Sequence, residues 1–296
     1  MFRTVAELID IAQHEKKPIS KVMIEREMNV SGLSHDEIFA AMTRNLDVME
    51  EAIKKGENGV NSTTGLTGGD AVLMKKYIEK GNTLSGELVL ESVQKAIATN
   101  EVNAAMGVIC ATPTAGSAGV VPGVLFAVKD KLELTREQMV DFLFTAGAFG
   151  FVVANQAFIS GAAGGCQAEV GSASAMASAA IVEAAGGTPE QASHAMAMTL
   201  KNMLGLVCDP VAGLVEVPCV KRNALGSSQA IISADMALAG IKSQIPCDEV
   251  IEAMYRVGLQ MPSSLRETAE GGLAATPTGR AIQAKIFGLS PENPSE

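Results

Sequence analysis

From Phe142 to Gly165 the chain carries no charged residue, and no other feature restricts its fold as much. A run of that length is either a membrane span or a helix apolar on every side, lying at the centre of a large globular domain. Asn155 and Gln156 fall inside the run, Ser160-Gly161 interrupts it, and no lysine or arginine cluster flanks it. That pattern points to a buried helix. Alanine dominates its surroundings: 15 of the chain's 43 alanines lie between positions 151 and 200. At 47% hydrophobic and 19% charged over 296 residues, there is ample apolar surface for a large core. A net charge of −10 argues against nucleic acid or an anionic membrane as partner.

The local signals are those of helices. Thr4-x-x-Glu7, Ser34-x-x-Glu37, Thr135-x-x-Gln138 and Thr188-x-x-Gln191 each fit a capping box, in which hydroxyl and acid or amide satisfy each other's free N–H groups. Pro189 and Pro277 follow threonines, where a first-turn proline is tolerated. Apolar residues recur at helical spacing between these starts, and alternating β-branched runs are nearly absent. The expectation is an all-α chain of about ten to thirteen helices, forming one domain over residues 1–296. Within it, 1–55 reads as charged amphipathic helices, 60–288 as the functional core and 289–296 as a flexible tail. The N-terminus shows no apolar signal region, so a cytoplasmic location is expected.

Four loops carry chemical potential. Asn61-Ser-Thr-Thr-Gly-Leu-Thr-Gly-Gly-Asp70 reads as an anion-capturing turn or a flexible linker, and without a following Gly-Lys-Ser/Thr it is not a P-loop. Cys110 to Gly119 offers similar hydroxyls and free N–H groups. Ser160-Gly-Ala-Ala-Gly-Gly-Cys166 sets a cysteine at the start of an Ala/Ser-rich helix, where the helix N-terminus favours thiolate. Cys208 and Cys219 flank a Pro/Gly loop that runs into Lys221-Arg222-Asn223. Five widely spaced cysteines do not make a disulfide scaffold. The C-x10-C interval matches neither zinc ribbons nor ferredoxins, which leaves inert buried thiols or a shared metal. His14, His35 and His194 pair with no cysteine or acid at a metal-like interval, and no nucleophile elbow is present.

Taken together, Thr112–Gly119, Ser160–Gln167, Cys208–Gly213, Val217–Cys219, Arg222-Asn223 and Arg266–Thr268 with Gly271-Gly272 resemble the iron–sulfur-dependent L-serine dehydratases (L-serine ammonia-lyases). The resemblance spans roughly residues 60–285, and the chain is similar to the α chain of the two-chain form, whose β chain carries an ACT-like regulatory module. It implies a [4Fe–4S] cluster on Cys166, Cys208 and Cys219, with the fourth iron left for L-serine. Cys110 and Cys247 receive no role. In some single-chain relatives a C-terminal cysteine caps that iron; the ending Asn-Pro-Ser-Glu has none, so such autoinhibition is not expected. Ser62, Thr63, Thr64 and Gly65, with Thr112, Thr114 and Ser117, are the expected holders of the substrate's carboxylate and amine. Lys221, Arg222 and Asn223 are expected to contact substrate or support the cluster. No base for the α-proton is identifiable, and the family's Ser-x-Ser-His-Thr segment of the β region is expected to supply one.

The chemistry agrees with the resemblance, because an iron with an open position stabilises a departing hydroxide as a Lewis acid. Two other readings stay open: a related cluster-dependent lyase acting on cysteine or another small amino acid, and a non-catalytic iron–sulfur sensor. A pyridoxal-phosphate dehydratase needs a Schiff-base lysine beside a phosphate loop, and Lys221 has no such setting.

Overall fold

The computed structural model describes residues 1–288; the tail expected over 289–296 lies outside the described residues. Among the described residues there are thirteen α-helices and no strand, as the helix signals require. They are α1 (Val5–His14), α2 (Ile19–Ser31), α3 (His35–Glu57), α4 (Asp70–Ile78), α5 (Glu87–Ala104), α6 (Val120–Lys131), α7 (Arg136–Gln156), α8 (Gly161–Gly164), α9 (Ser172–Ala184), α10 (Pro189–Asn202), α11 (Cys219–Leu238), α12 (Cys247–Gln260) and α13 (Pro277–Phe287). Extended pairing is confined to two isolated bridges, Asn61 with Gly68 and Cys208 with Arg266.

All four capping boxes form, at the starts of α1, α3, α7 and α10. Pro189 and Pro277 occupy first-turn positions of α10 and α13. Some starts are capped, or further capped, from a distance. Pro18 precedes α2 and offers no capping side chain, so the N–H groups of Ile19 and Ser20 donate to Glu183 of α9 at 2.5 and 3.1 Å. Gly69 precedes α4, and Asp70 and Ala71 donate to Glu101 of α5 at 2.7 and 3.3 Å. Asp248 of α12 takes the N–H groups of Val5 and Ala6 at 2.8 and 3.0 Å. Each carboxylate satisfies orphan donors and meets the positive end of a helix dipole, tying segments far apart in sequence.

The Ala/Ser-rich α9 is the central helix. Every residue from Ser172 to Val182 is buried, against α6, α7, α10 and α11. Two of its three serines are satisfied inside the core: Ser174 donates to the Gly226 carbonyl at 2.5 Å, and Ser178 accepts from Thr199 at 3.0 Å, whereas the buried Ser172 hydroxyl has no partner among the described residues. Small residues bring other pairs equally close. A Cβ on Gly123 of α6 would sit 2.8 Å from the Ala96 Cβ of α5, too near to be tolerated. The uncharged run divides in two. Its first part, in α7, is long and apolar enough to cross a membrane by length and composition, but most of it is buried within the fold, packed on α2, α3 and α9. α7 then stops at Gln156, whose side chain donates to the Arg3 carbonyl at 3.0 Å and to Asp248 at 3.1 Å.

Replacing Glu183 by alanine removes the partner of two helix-start amides and of the Thr145 hydroxyl. Stability is expected to fall by about 1–3 kcal/mol, read as a lower urea midpoint at constant slope. An unshifted midpoint would show that α2 does not depend on this cap.

Candidate metal and substrate site

Three segments converge to place the cysteines. Ser160 caps the single turn of α8 by accepting from the Ala163 N–H at 3.3 Å, and Gly165 leaves it at φ 78°. Cys166 follows and opens a π-helical turn, Gln167–Gly171, that runs on into α9. Such turns are frequent where a helix serves a functional site. Gln167 anchors this junction, with its N–H donating to the Leu206 carbonyl at 2.9 Å and its side-chain oxygen accepting from Gly205 at 2.9 Å. The next residues of that strap lead to Cys208, whose N–H donates to Leu265 at 2.8 Å and whose carbonyl accepts from Glu267 at 2.7 Å. Cys219 begins α11 after a cis Val217–Pro218 bond.

Cys166 and Cys208 bring their sulfurs together with a carboxylate oxygen of Glu169, all within 4.8 Å of one another and all buried. Cys219 lies outside that tight group, yet near enough for its thiol to feel the charges of Cys166 and Glu169. Arg222 spans the cluster of donors: its guanidinium donates to Cys166 Sγ at 3.5 Å and to the Val207 carbonyl at 2.8 Å, and pairs with Asp209 at 2.7 Å. The Cys208 thiol, helped by Arg222, holds Cys166 below the usual thiol pKa despite burial. Cys208 is pushed up by that shared proton and by burial, and Cys219 is pushed up chiefly by burial. Cys166 is therefore the thiol of the group most disposed to ionise, with the Cys208 thiol as the first cause and Arg222 assisting.

The donor set fits an iron–sulfur cluster. Buried thiolates select soft, sulfur-bridged centres over hard cations. Glycines line the space. A Cβ on Gly161 would lie 2.6 Å from Cys208 Sγ and 3.2 Å from Glu169 Oε2, and one on Gly116 would lie 2.5 Å from Glu169 Oε1.

The two polar loops are ordered turns. Ser62 and Thr64 share a 3.1 Å hydrogen bond, and Thr64 and Thr67 both donate to the buried Glu216 carboxylate at 2.9 Å. The 61–68 turn is thereby clasped to the loop between Cys208 and Cys219, with Thr63 and Gly65 at its exposed tip. In the second loop Ser117 donates to the Thr112 carbonyl at 3.0 Å, and Thr114, 3.2 Å from Ser117, donates to Glu169. Burial raises the Glu169 carboxyl above the usual carboxylate range, against the pull of Thr114.

Of the expected site residues, Arg222 contacts Cys166, Thr114 reaches Glu169 and is tied to Ser117, and Ser62 and Thr64 are joined to Glu216 in the loop between Cys208 and Cys219. Asn223 is fully engaged with backbone, donating to Gly116 and Cys219 at 2.7 and 2.9 Å and accepting from Gly119 at 3.1 Å. It pins the second loop to α11. Lys221 turns outward to Asp70. Thr112 lines, with Cys110, Met42, Met49 and Met176, a separate cavity of about 180 Å³. Sequence reasoning missed Glu169, Asp209 and Glu216 as site residues. The Cys-x-x-Glu interval, which puts Glu169 on the face of Cys166, was a usable signal. The pairing of Glu216 with residues some 150 positions away was not.

Gly161→Ala is expected to block loading of iron during anaerobic reconstitution while leaving far-UV circular dichroism unchanged; normal iron content would show that the space beside Cys208 is not used. Glu216→Ala removes the acceptor of Thr64 and Thr67, so limited proteolysis is expected to cut within 62–67 where the parent chain resists. Equal resistance would assign the turn's order to other contacts.

The sequence profile of the family described as serine dehydratase alpha chain matches residues 14–274. The chain is 71% identical over 288 residues to the probable L-serine dehydratase alpha chain of Bacillus subtilis, covering 97% of this chain and 96% of that one. It is 43% identical over 284 residues to the L-serine dehydratase alpha chain of Peptoniphilus asaccharolyticus, covering 96% and 97%. With the L-serine dehydratase TdcG of Escherichia coli it shares 35% identity over 285 residues, 92% of this chain and 61% of that one. With buried thiols converging in the segments that first suggested it, the chain belongs to the serine dehydratase alpha chain family.

Proposed function

We propose that this chain is the catalytic α chain of a two-chain, cytoplasmic L-serine dehydratase that converts L-serine to pyruvate and ammonia. The observation that carries the reading is the buried meeting of Cys166, Cys208 and Glu169, with Cys219 adjoining, in a chain of this family. Cys166, Cys208 and Cys219 would hold a [4Fe–4S] cluster. When bound, the cluster supplies a Lewis-acidic iron that assists loss of the substrate's β-hydroxyl as water.

The chain's own residues prepare that event. Arg222 donates to Cys166 and pairs with Asp209, so a cation stands beside a donor sulfur before the metal arrives. Gly116 and Gly161 keep the space beside the thiols free. Ser62 and Thr64 shape the turn through Glu216, leaving its tip, Thr63 and Gly65, to meet the substrate carboxylate. Loss of the α-proton and of water gives an aminoacrylate, which tautomerises to the imine and is hydrolysed to pyruvate and ammonia.

The acceptor of the α-proton is placed on the β chain, which carries an ACT-like regulatory module. The chain's histidines stand on helices elsewhere: His14 and His35 are exposed, and His194 faces Glu190 at 3.6 Å. The E. coli relative is longer by a segment this chain does not cover, and that segment corresponds in the proposal to the separate β chain.

The test is anaerobic purification and reconstitution. Broad visible absorption that bleaches in air is expected, lost in Cys166→Ser, Cys208→Ser and Cys219→Ser and kept in Cys110→Ser and Cys247→Ser. Pyruvate should form rapidly only after the β chain is added, and faster from L-serine than from L-cysteine or L-threonine. A colourless chain that deaminates serine, or full activity from the α chain alone, would overturn the proposal.

A further inference from the structure

Resting on that reading of the site, we infer that Glu169 receives the α-ammonium group of the amino-acid substrate. Glu169 stands on the π-helical turn three residues after Cys166, and its carboxylate oxygen lies within 4.8 Å of the sulfurs of Cys166 and Cys208. Serine carries its hydroxyl and its amine on adjacent carbons. A group that holds the amine while the hydroxyl meets the metal must therefore stand directly beside the metal's ligands, as Glu169 does.

The carboxylate is held ready. Thr114 donates to Oε1 and is itself tied to Ser117 at 3.2 Å. Oε2 has no hydrogen-bond partner among the described residues and faces the open side of Gly161. No cation is directed at Glu169 among the described residues: Arg222 meets Cys166, Val207 and Asp209, Lys221 meets Asp70, and Arg266 donates to the Ala163 carbonyl at 3.5 Å with its Nε left without a partner. A buried carboxylate beside thiolates, with no cation of its own, recruits one from the ligand. The amino acid brings it, and a hydroxy acid without the amine does not.

The experiment uses the anaerobically reconstituted α/β enzyme and two non-reacting probes. L-alanine keeps the ammonium and lacks the hydroxyl; 3-hydroxypropanoate keeps the hydroxyl and lacks the ammonium. Equilibrium binding of both is measured for the parent and for Glu169→Gln, with iron and sulfide content as the control for folding and loading. The expected result is full iron and sulfide, L-alanine binding weakened about 10- to 100-fold, 3-hydroxypropanoate binding changed less than about twofold, and KM for L-serine raised more than kcat is lowered. Equal effects on both probes, or none on L-alanine, would overturn the inference. Loss of iron and sulfide in the variant would also overturn it, assigning Glu169 to holding the cluster. If the parent enzyme neither loads iron nor deaminates serine, it is the reading of the site that fails.

Discussion

A single guanidinium organises the site. Arg222 joins the thiolate of Cys166, the carbonyl of Val207 and the carboxylate of Asp209, and so links the π-helical turn, the Cys208 strap and α11. Without it, Asp209 would be left as an uncompensated buried charge, a loss of about 3–5 kcal/mol for such a pair. Cys166 would also lose the cation that opposes its own burial. A metal site assembled from acidic donors needs such a counterweight before the metal arrives, because the thiols repel one another once ionised. Asp209 keeps Arg222 from being attracted wholly to the sulfurs, and it also accepts from the Leu273 N–H at 2.7 Å, which brings the segment before α13 to the same point.

Convergence of this kind depends on how closely the helices approach. α9 is built from alanine and serine and has neighbours on all sides, so the π-helical turn at its start is fixed as firmly as the core. The long-range caps have the same effect at the periphery. Glu183, Glu101 and Asp248 each hold the first turn of a helix that its own sequence leaves uncapped or half capped. Glu101 sets the orientation of α4, and with it the end of the 61–68 turn that reaches Glu216. The polar loops can thus be short and rich in glycine and still keep a defined shape.

What was legible in the sequence was local. The four capping boxes, the two first-turn prolines and the helical spacing gave the class of fold and the starts of α1, α3, α7, α10 and α13. Cysteines set in glycine and proline loops marked the segments that meet, and the family motifs named Cys166, Cys208 and Cys219 as a set. Caps supplied across the fold were not legible, since Pro18 and Gly69 carry no sign of where their carboxylates come from. The end of the uncharged run as a helix was only hinted at by Asn155 and Gln156. The roles of Lys221 and Asn223 could not be read either. Neighbours of Arg222 in sequence, they project from α11 in other directions, one to Asp70 at the surface and one into the backbone of the second loop.

The same geometry bears on why the proposal places the α-proton base on a second chain. The buried donors of the site are all acidic or thiol, Arg222 and Lys221 are already paired with Asp209 and Asp70, and no histidine stands among them. Such an arrangement suits the holding of a metal and the drawing in of an amino acid by its ammonium, but those are ground-state tasks. Taking a weakly acidic α-proton requires a base poised near neutral pH and aimed at the face of the substrate away from the thiols. A base built into the same buried wall would compete with the thiolates for the same few cations. In the proposed two-chain enzyme, delivering it from another chain separates the two electrostatic environments.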